Sequence, residues 1–406
     1  MGMFARAATG VAVTAALAMA VPTASAQPGP QGVQRLSAAV DGNQADGDSY
    51  EPSISRNGRF VAFSSTAANL VPGDTNGSRD LFVRDLRAGT LQRIELEQGA
   101  LPGASFSASG RRLAYVSGSH VFVRDLRTGE TEQVDTGLGD GFEGGTAFQV
   151  SLSGNGRHAV FAVRRPTGVP AAEGSRVYLR DLEAGTTELV SQANTAAETY
   201  YAGDPVVSDD GARVAYTYTR QIPKGPMVGH VFLLDRPTGG RQVVDVSTDG
   251  STPDRVVADP SLTADGERVM FSVYGGPLPV TWDGKSLNAY VRDVGEGTTR
   301  SIPVSGSQGG SGAAWMSADG RHAVYRGAVA DPDSPGGSVW SVQVQDLETG
   351  EVRIASTAPD GSPAYADNGP AALAGDGRTV VFHSQEAGLV PDDTNGVADV
   401  FLSRVR

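Results

Sequence analysis

Cysteine is absent from the chain, and lysine nearly so, with Lys224 and Lys285 its only two. Without cysteine there is no disulfide and no lipidated cysteine at a processed N-terminus, so the fold must hold by packing alone. Also missing are a G-x-S-x-G turn and an H-E-x-x-H pair, and Gly284-Lys285-Ser286 lacks the upstream glycine of a phosphate loop. After the first 26 residues no apolar run is long enough to cross a bilayer. The Arg-rich, Lys-poor usage points to a GC-rich bacterial genome.

The opening segment is the exception to the absence of helical and apolar patterning. Arg6 precedes an apolar stretch that ends in Ala24-Ser25-Ala26, the small-residue pattern of a signal peptidase site. The sequence therefore predicts a signal peptide over 1–26, a disordered lead over 27–32 and a single domain over 33–406, exported to the periplasm or the medium. The formal charge is −13, and losing Arg6 with the leader makes it −13 − 1 = −14. Such an acidic surface repels phosphate backbones and anionic lipid, so neither nucleic acid nor membrane insertion is expected.

What the chain has in quantity is glycine, 53 residues, and a repeat. GRFVAF, GRRLAY, GRHAVF, GARVAY, GERVMF, GRHAVY and GRTVVF begin at Gly58, Gly110, Gly156, Gly211, Gly266, Gly320 and Gly377, at spacings of 52, 46, 55, 55, 54 and 57. Asn, Ser or Asp precedes each glycine, which marks the turn of a tight hairpin. An aromatic follows five residues after each glycine, from Phe63 to Phe382. A second hairpin follows in most repeats: Asp85, Asp125, Asp181, Asp235, Asp293 and Asp346 end a strand, with a glycine four residues on. Each repeat is thus four antiparallel strands that cannot bury a core alone but can when arranged radially. The fold class expected is all-β, a seven-bladed β-propeller of four-stranded antiparallel blades. The last repeat stops after its third strand, so the ring is expected to close through Val33 to Val40, VQRLSAAV, whose pattern matches fourth strands such as LQRIEL.

The repeated SISRNGRFVAF and WMSADGRHAVY, followed by FVRDLRTG at Phe122 to Gly129, resemble the TolB-like β-propeller repeats of secreted bacterial proteins. The resemblance covers nearly the whole mature chain. It implies a propeller that serves as a partner platform, as the accessory domain of a peptidase or, in some cases, as a lyase. TolB itself implies an α/β domain before six blades, and this chain has no such domain.

The Asp-Gly and Thr-Gly turns are short and uniform, so the face they form is expected to be structural. Long, varied loops join second to third strands, as in 64–79, 164–175, 219–229, 275–287, 327–338 and 384–398, and on the same face acids stand before proline at Glu51, Asp204 and Asp259. Loops on a rigid scaffold usually carry function. Glu51, Asp204, Asp259 and the loop residue Trp282 are therefore the ligand-binding candidates. The alternative for the acids is that each accepts backbone N–H bonds at a bend.

Asp74-Thr75-Asn76-Gly77-Ser78-Arg79-Asp80 and Asp393-Thr394-Asn395-Gly396-Val397-Ala398-Asp399 share the spacing D-x-N-G-x-x-D. Alternating side-chain oxygens around a glycine bend are the kind of ligand set calcium takes. Asp74, Asn76, Asp80, Asp393, Asn395 and Asp399 are accordingly the metal candidates, with calcium as cofactor. The alternative is an Asx-turn without metal. The five histidines, His120, His158, His230, His322 and His383, are spread over different repeats, and no catalytic residue is assigned. The function expected is a non-catalytic, monomeric scaffold that binds a protein, peptide or glycan at or beyond the cell envelope. The alternative is a metal-assisted carbohydrate lyase or hydrolase working in the central channel.

Overall fold

The computed structural model describes residues 32–97, 103–139, 142–166, 174–191, 200–221, 227–247, 250–252, 256–274, 286–303, 314–330, 337–366 and 371–405. The expected signal peptide over 1–26, the expected lead up to residue 31 and Trp282 lie outside them. Alternating apolar strands and glycine turns fold as an all-β propeller, with one short 3-10 turn at Ala387–Leu389. In the first blade Ser49–Ile54 runs innermost, followed outward by Phe60–Ser65, Asp80–Asp85 and Thr90–Ile94. The hairpin glycines 58, 110, 156, 211, 266, 320 and 377 all have φ between +65° and +78°, the left-handed region these turns demand. In the outer turns the Asp side chain closes the loop, as where Asp181 accepts the N–H of Glu183 at 3.0 Å and of Ala184 at 2.9 Å.

The expectation of seven separate blades is corrected. Among the described residues five sheets have four strands each, while the eight strands from Thr146–Leu152 to Gly240–Val243 form a single sheet. Between the third and fourth repeats the backbone passes across. Ser175 pairs in parallel with Tyr201, Gly174 N–H donates to the Tyr200 carbonyl at 3.1 Å, and Ser175 Oγ–H donates to the Ala202 carbonyl at 2.7 Å. Glycine is what lets the chains approach, because a Cβ at residue 174 would lie 2.2 Å from the Tyr201 ring.

The last sheet orders Gln34–Arg35, Asp399–Arg404, Thr379–Ser384 and Ala372–Leu373 from its outer edge inward. The regular pairing at its outer edge is two residues long, Gln34 opposite Leu402 and Arg35 opposite Phe401, extended by Leu36 N–H to the Val400 carbonyl at 2.7 Å.

The core lies between neighbouring sheets, where rings of second and third strands stack: Phe63 on Phe82 at 5.8 Å, Phe161 on Tyr178 at 6.1 Å, Phe382 on Phe401 at 5.8 Å. One repeat breaks this rule. Tyr325 faces Gln343, not a ring, and its hydroxyl and the Gln343 Nε2 are both buried without a hydrogen-bond partner.

Candidate functional site

The two faces of the propeller carry different chemistry. On the turn face, the arginine that follows the hairpin glycine reaches the aspartate that ends the third strand: Arg59 to Asp85 at 2.9 Å, Arg111 to Asp125 at 2.8 Å, Arg157 to Asp181 at 2.8 Å and Arg321 to Asp346 at 3.1 Å. Sequence supplies both partners at the same two places in the repeat, after the hairpin glycine and at the end of the third strand, so the clamp recurs although 26, 14, 24 and 25 residues separate the pairs. The Arg157 guanidinium, followed by the Ala184 N–H, holds the Asp181 carboxyl well below the usual carboxylate range, and the Thr349 N–H is the first cause of the same shift at Asp346. His158 and His322 lie beside these aspartates, with Nε2 3.6 Å from Asp181 and 3.9 Å from Asp346, and burial lowers the His158 pKa.

On the loop-bearing face the three acids before proline share one backbone state. Glu51, Asp204 and Asp259 have φ of 53°, 46° and 54°, the only non-glycine residues with positive φ among the described residues. Each stands at a break in the pairing of an innermost strand, between Tyr50 and Ser53, Gly203 and Val206, and Ala258 and Ser261. Proline brings no N–H to the ladder, so the bulge falls where the hydrogen bond is lost anyway. A carboxylate residue held in a sparsely populated conformation marks a place where the surrounding fold imposes the geometry.

Their side chains then diverge. Asp204 is tied into the fold: its Oδ2 accepts from Thr217 Oγ1 at 2.9 Å, its Oδ1 accepts from Gln149 Nε2, and its N–H donates to Gln149 Oε1 at 2.6 Å. That is the bend-shaping role. Glu51 keeps Oε2 buried without a hydrogen-bond partner, and burial raises its carboxyl pKa while the charge of Arg79 pulls it down. The Arg79 guanidinium sits 5.6 Å over the Tyr50 ring, and Tyr50 meets His383 edge-on at 5.2 Å. Glu51, Arg79, Tyr50 and His383 thus form a half-buried cluster where the first blade meets the last. Sequence reasoning missed Arg79, Tyr50 and His383 as partners of Glu51 because they come from a loop and from strands of two different sheets.

Both D-x-N-G-x-x-D loops gather their carboxylates around an arginine. In the first, Arg93 lies 3.4 Å from Asp74 and 2.6 Å from Asp80, and in the second Arg35 lies 3.1 Å from Asp393 and 3.2 Å from Asp399. The asparagines form Asx-turns: Asn76 Oδ1 accepts the Ser78 N–H at 2.9 Å and Asn395 Oδ1 the Val397 N–H at 3.4 Å, while their amide nitrogens face Asp80 and Asp399. Burial raises the pKa of Asp74, Asp393 and Asp399 against the arginine's pull. The oxygens a calcium ion would take are the ones these guanidinium groups contact. The signal for this was in the sequence: Gln34-Arg35 and Gln92-Arg93 occupy the same place in the two fourth strands beside these loops. Among the described residues no group of three or more His, Asp or Glu side chains has metal-binding geometry.

His120 and His230 direct Nδ1 to Asp135 at 2.9 Å and Asp245 at 2.8 Å, in separate repeats. The three large apolar side chains that stay exposed among the described residues, Val40, Tyr201 and Tyr365, all belong to the loop-bearing face. No helix among the described residues is long and apolar enough to cross a membrane.

No protein-family model matches the chain, and no curated protein does. Solved structures match in fold. Oligogalacturonate lyase from Vibrio parahaemolyticus superposes with a TM-score of 0.59 at 15% identity, covering 92% of this chain and 93% of its own. The β-propeller domain of the Trilobed protease from Pyrococcus furiosus does so with a TM-score of 0.57 at 13% identity, covering 88% and 93%. TolB from Acinetobacter baumannii is among the matches at a TM-score of 0.41 and 14% identity over 87% of this chain and 79% of its own, too distant in shape to argue from. At these identities the likeness is one of fold, and it makes the chain a β-propeller.

Proposed function

We propose that this chain is an exported, non-catalytic binding propeller that takes a protein, peptide or glycan ligand at its loop-bearing mouth, at the cell envelope or beyond it. The observation that carries the proposal is Glu51: a carboxylate in a left-handed conformation, with one buried oxygen lacking a partner, beside Arg79. A fold that satisfies Asp204 at the equivalent position but leaves Glu51 short of a hydrogen bond has a place for a donor from outside. On the other face the repeated carboxylates Asp85, Asp125, Asp181 and Asp346 are each held by an arginine. Binding to arrays of glycans and of peptides tests this, with Glu51→Gln and Arg79→Ala alongside the parent chain. Loss of the bound feature in both variants, with melting unchanged, is the expected result. Binding that both variants retain, or no binding at any feature, would remove the proposal.

A second possibility is favoured by one specific arrangement. Glu51, Arg79 and His383 gather at one mouth, the acid, cation and imidazole set that a carbohydrate lyase or hydrolase would use, and one structural neighbour is named as an oligogalacturonate lyase. Incubation with polygalacturonate, followed by ultraviolet absorbance of the unsaturated product and by reducing-end assay, decides it. Turnover that disappears in Glu51→Gln would establish the enzyme, and absence of product with and without added divalent metal would leave binding alone.

A further inference from the structure

The hairpin turns meet around the axis through a chain of backbone hydrogen bonds. Gly375 N–H donates to the Arg56 carbonyl at 2.8 Å, Asn57 to Ala108 at 3.3 Å, Ala108 to Gly154 at 2.9 Å, Asn155 to Asp209 at 2.9 Å, Asp209 to Ala264 at 2.8 Å and Ala264 to Ala318 at 2.7 Å. Seven of the residues in this chain, Arg56, Ala108, Gly154, Asp209, Ala264, Ala318 and Gly375, occupy one position in successive repeats, two before the hairpin glycine. All but two are alanine or glycine. The two exceptions are Arg56 and Asp209, 153 residues apart in sequence, and they join directly, both Nη atoms of Arg56 donating to the two carboxylate oxygens of Asp209.

The repeats of Arg56 and Asp209 are three apart around the ring, so their side chains reach each other only by crossing its middle. The small residues beside them fit that path. A Cβ on Gly154 would fall 2.1 Å from Asp209 Oδ1, and one on Gly375 would fall 2.3 Å from Arg56 Cγ. Each charged partner therefore has a glycine as its neighbour in the ring.

We infer that Arg56 and Asp209 form a gate across the turn-side end of the axial channel, so that a ligand enters and leaves only through the loop-bearing mouth. Both side chains are about one-third exposed, at 33% and 32%. Ion pairs that water reaches contribute little to stability. The pair's effect is then obstruction, and its loss should change access far more than melting.

The chain has no cysteine, so a single thiol is a clean probe. Ala264→Cys places that thiol in the ring beside the pair. We expect the combined Arg56→Ala and Asp209→Ala variant to label with a polymer-linked maleimide at least about tenfold faster than the parent background. Its melting temperature should stay within roughly 4 °C of the parent. The charge-swapped Arg56→Asp with Asp209→Arg should restore slow labelling. A separate chain carrying Arg56→Cys and Asp209→Cys should be joined within one molecule by a short bis-maleimide cross-linker, since an arginine–aspartate pair spans more than a direct disulfide can, and this checks the crossing even if the alanine variants fail to fold. Equal labelling with and without the pair would overturn the gate, as would failure of the intramolecular cross-link to form.

Discussion

The turn face and the loop-bearing face are built from the same repeat and treat charge in opposite ways. On the turn face four of the five repeats that carry the Gly-Arg pair settle the arginine on an aspartate whose carboxyl is already held by backbone N–H groups, as Arg157 and Asp181 show. On the loop-bearing face the carboxylates of Glu51, Asp74, Asp393 and Asp399 are buried more deeply than their partners compensate, and their pKa values rise. A uniform turn can be optimised once and repeated. A face that receives a ligand keeps groups that the fold alone does not satisfy.

The comparison is broken most severely by Arg35→Ala. It strips the counter-charge from Asp393 and Asp399 and loosens the seam between the first and last strands, so we expect a loss of about 3–5 kcal/mol in denaturant unfolding. Arg93→Ala makes the same change inside one blade, and a smaller loss there would show how much of the effect belongs to the seam. On the other face, Asp181→Ala leaves the Glu183 and Ala184 N–H groups without their acceptor, at a cost of about 1–2 kcal/mol in the same measurement.

The pH dependence of the two faces should differ in sign. Asp85, Asp181 and Asp346 are lowered from 3.8, so the stability they add is present above that value and is lost as pH falls through their folded values. Glu51, raised from 4.5, and Asp74, Asp393 and Asp399, raised from 3.8, bind protons more readily folded than unfolded. Their contribution is full below the unfolded values and declines as pH rises through the folded ones. Amide exchange followed from pH 7 to below about 4 should show the loop-bearing face gaining protection first and the turn face losing it later. Parallel loss on both faces would refute the contrast.

Two glycine substitutions sharpen it further. Glu51→Gly releases a strained left-handed residue and should raise stability by about 1 kcal/mol, whereas Asp204→Gly discards the bonds to Gln149 and Thr217 and should lower it by a similar amount. The smallest effect is that of Arg111→Ala, whose guanidinium is more than half exposed, at less than about 1 kcal/mol in thermal melts.

Periodic features were legible in the sequence because they are local. The glycine at each hairpin, the aspartate that closes each outer turn and the ring five residues on all follow from the conformation of a few adjacent residues. The merging of eight strands into one sheet was not legible, since it depends on Gly174 and Ser175 meeting Tyr200 to Ala202 across a loop of free length. The acids before proline were identifiable as a set, but their division into one satisfied and one unsatisfied carboxylate was not. It turns on Gln149, which comes from the neighbouring repeat. In each D-x-N-G-x-x-D loop the chosen residues do converge, with an arginine side chain against them. The shared Gln-Arg dipeptide would have pointed to it had the fourth strands been compared as closely as the loops.

The shared backbone bonds around Ser175 and Tyr201 have a mechanical consequence. A ring of plates that must flex can part only where plates merely touch, and at this junction they are welded. The opposite extreme is the two-residue seam at Gln34–Arg35, fastened chiefly by salt links and short pairing. If the molecule ever springs open under load, the tear should start at that seam and leave the weld intact.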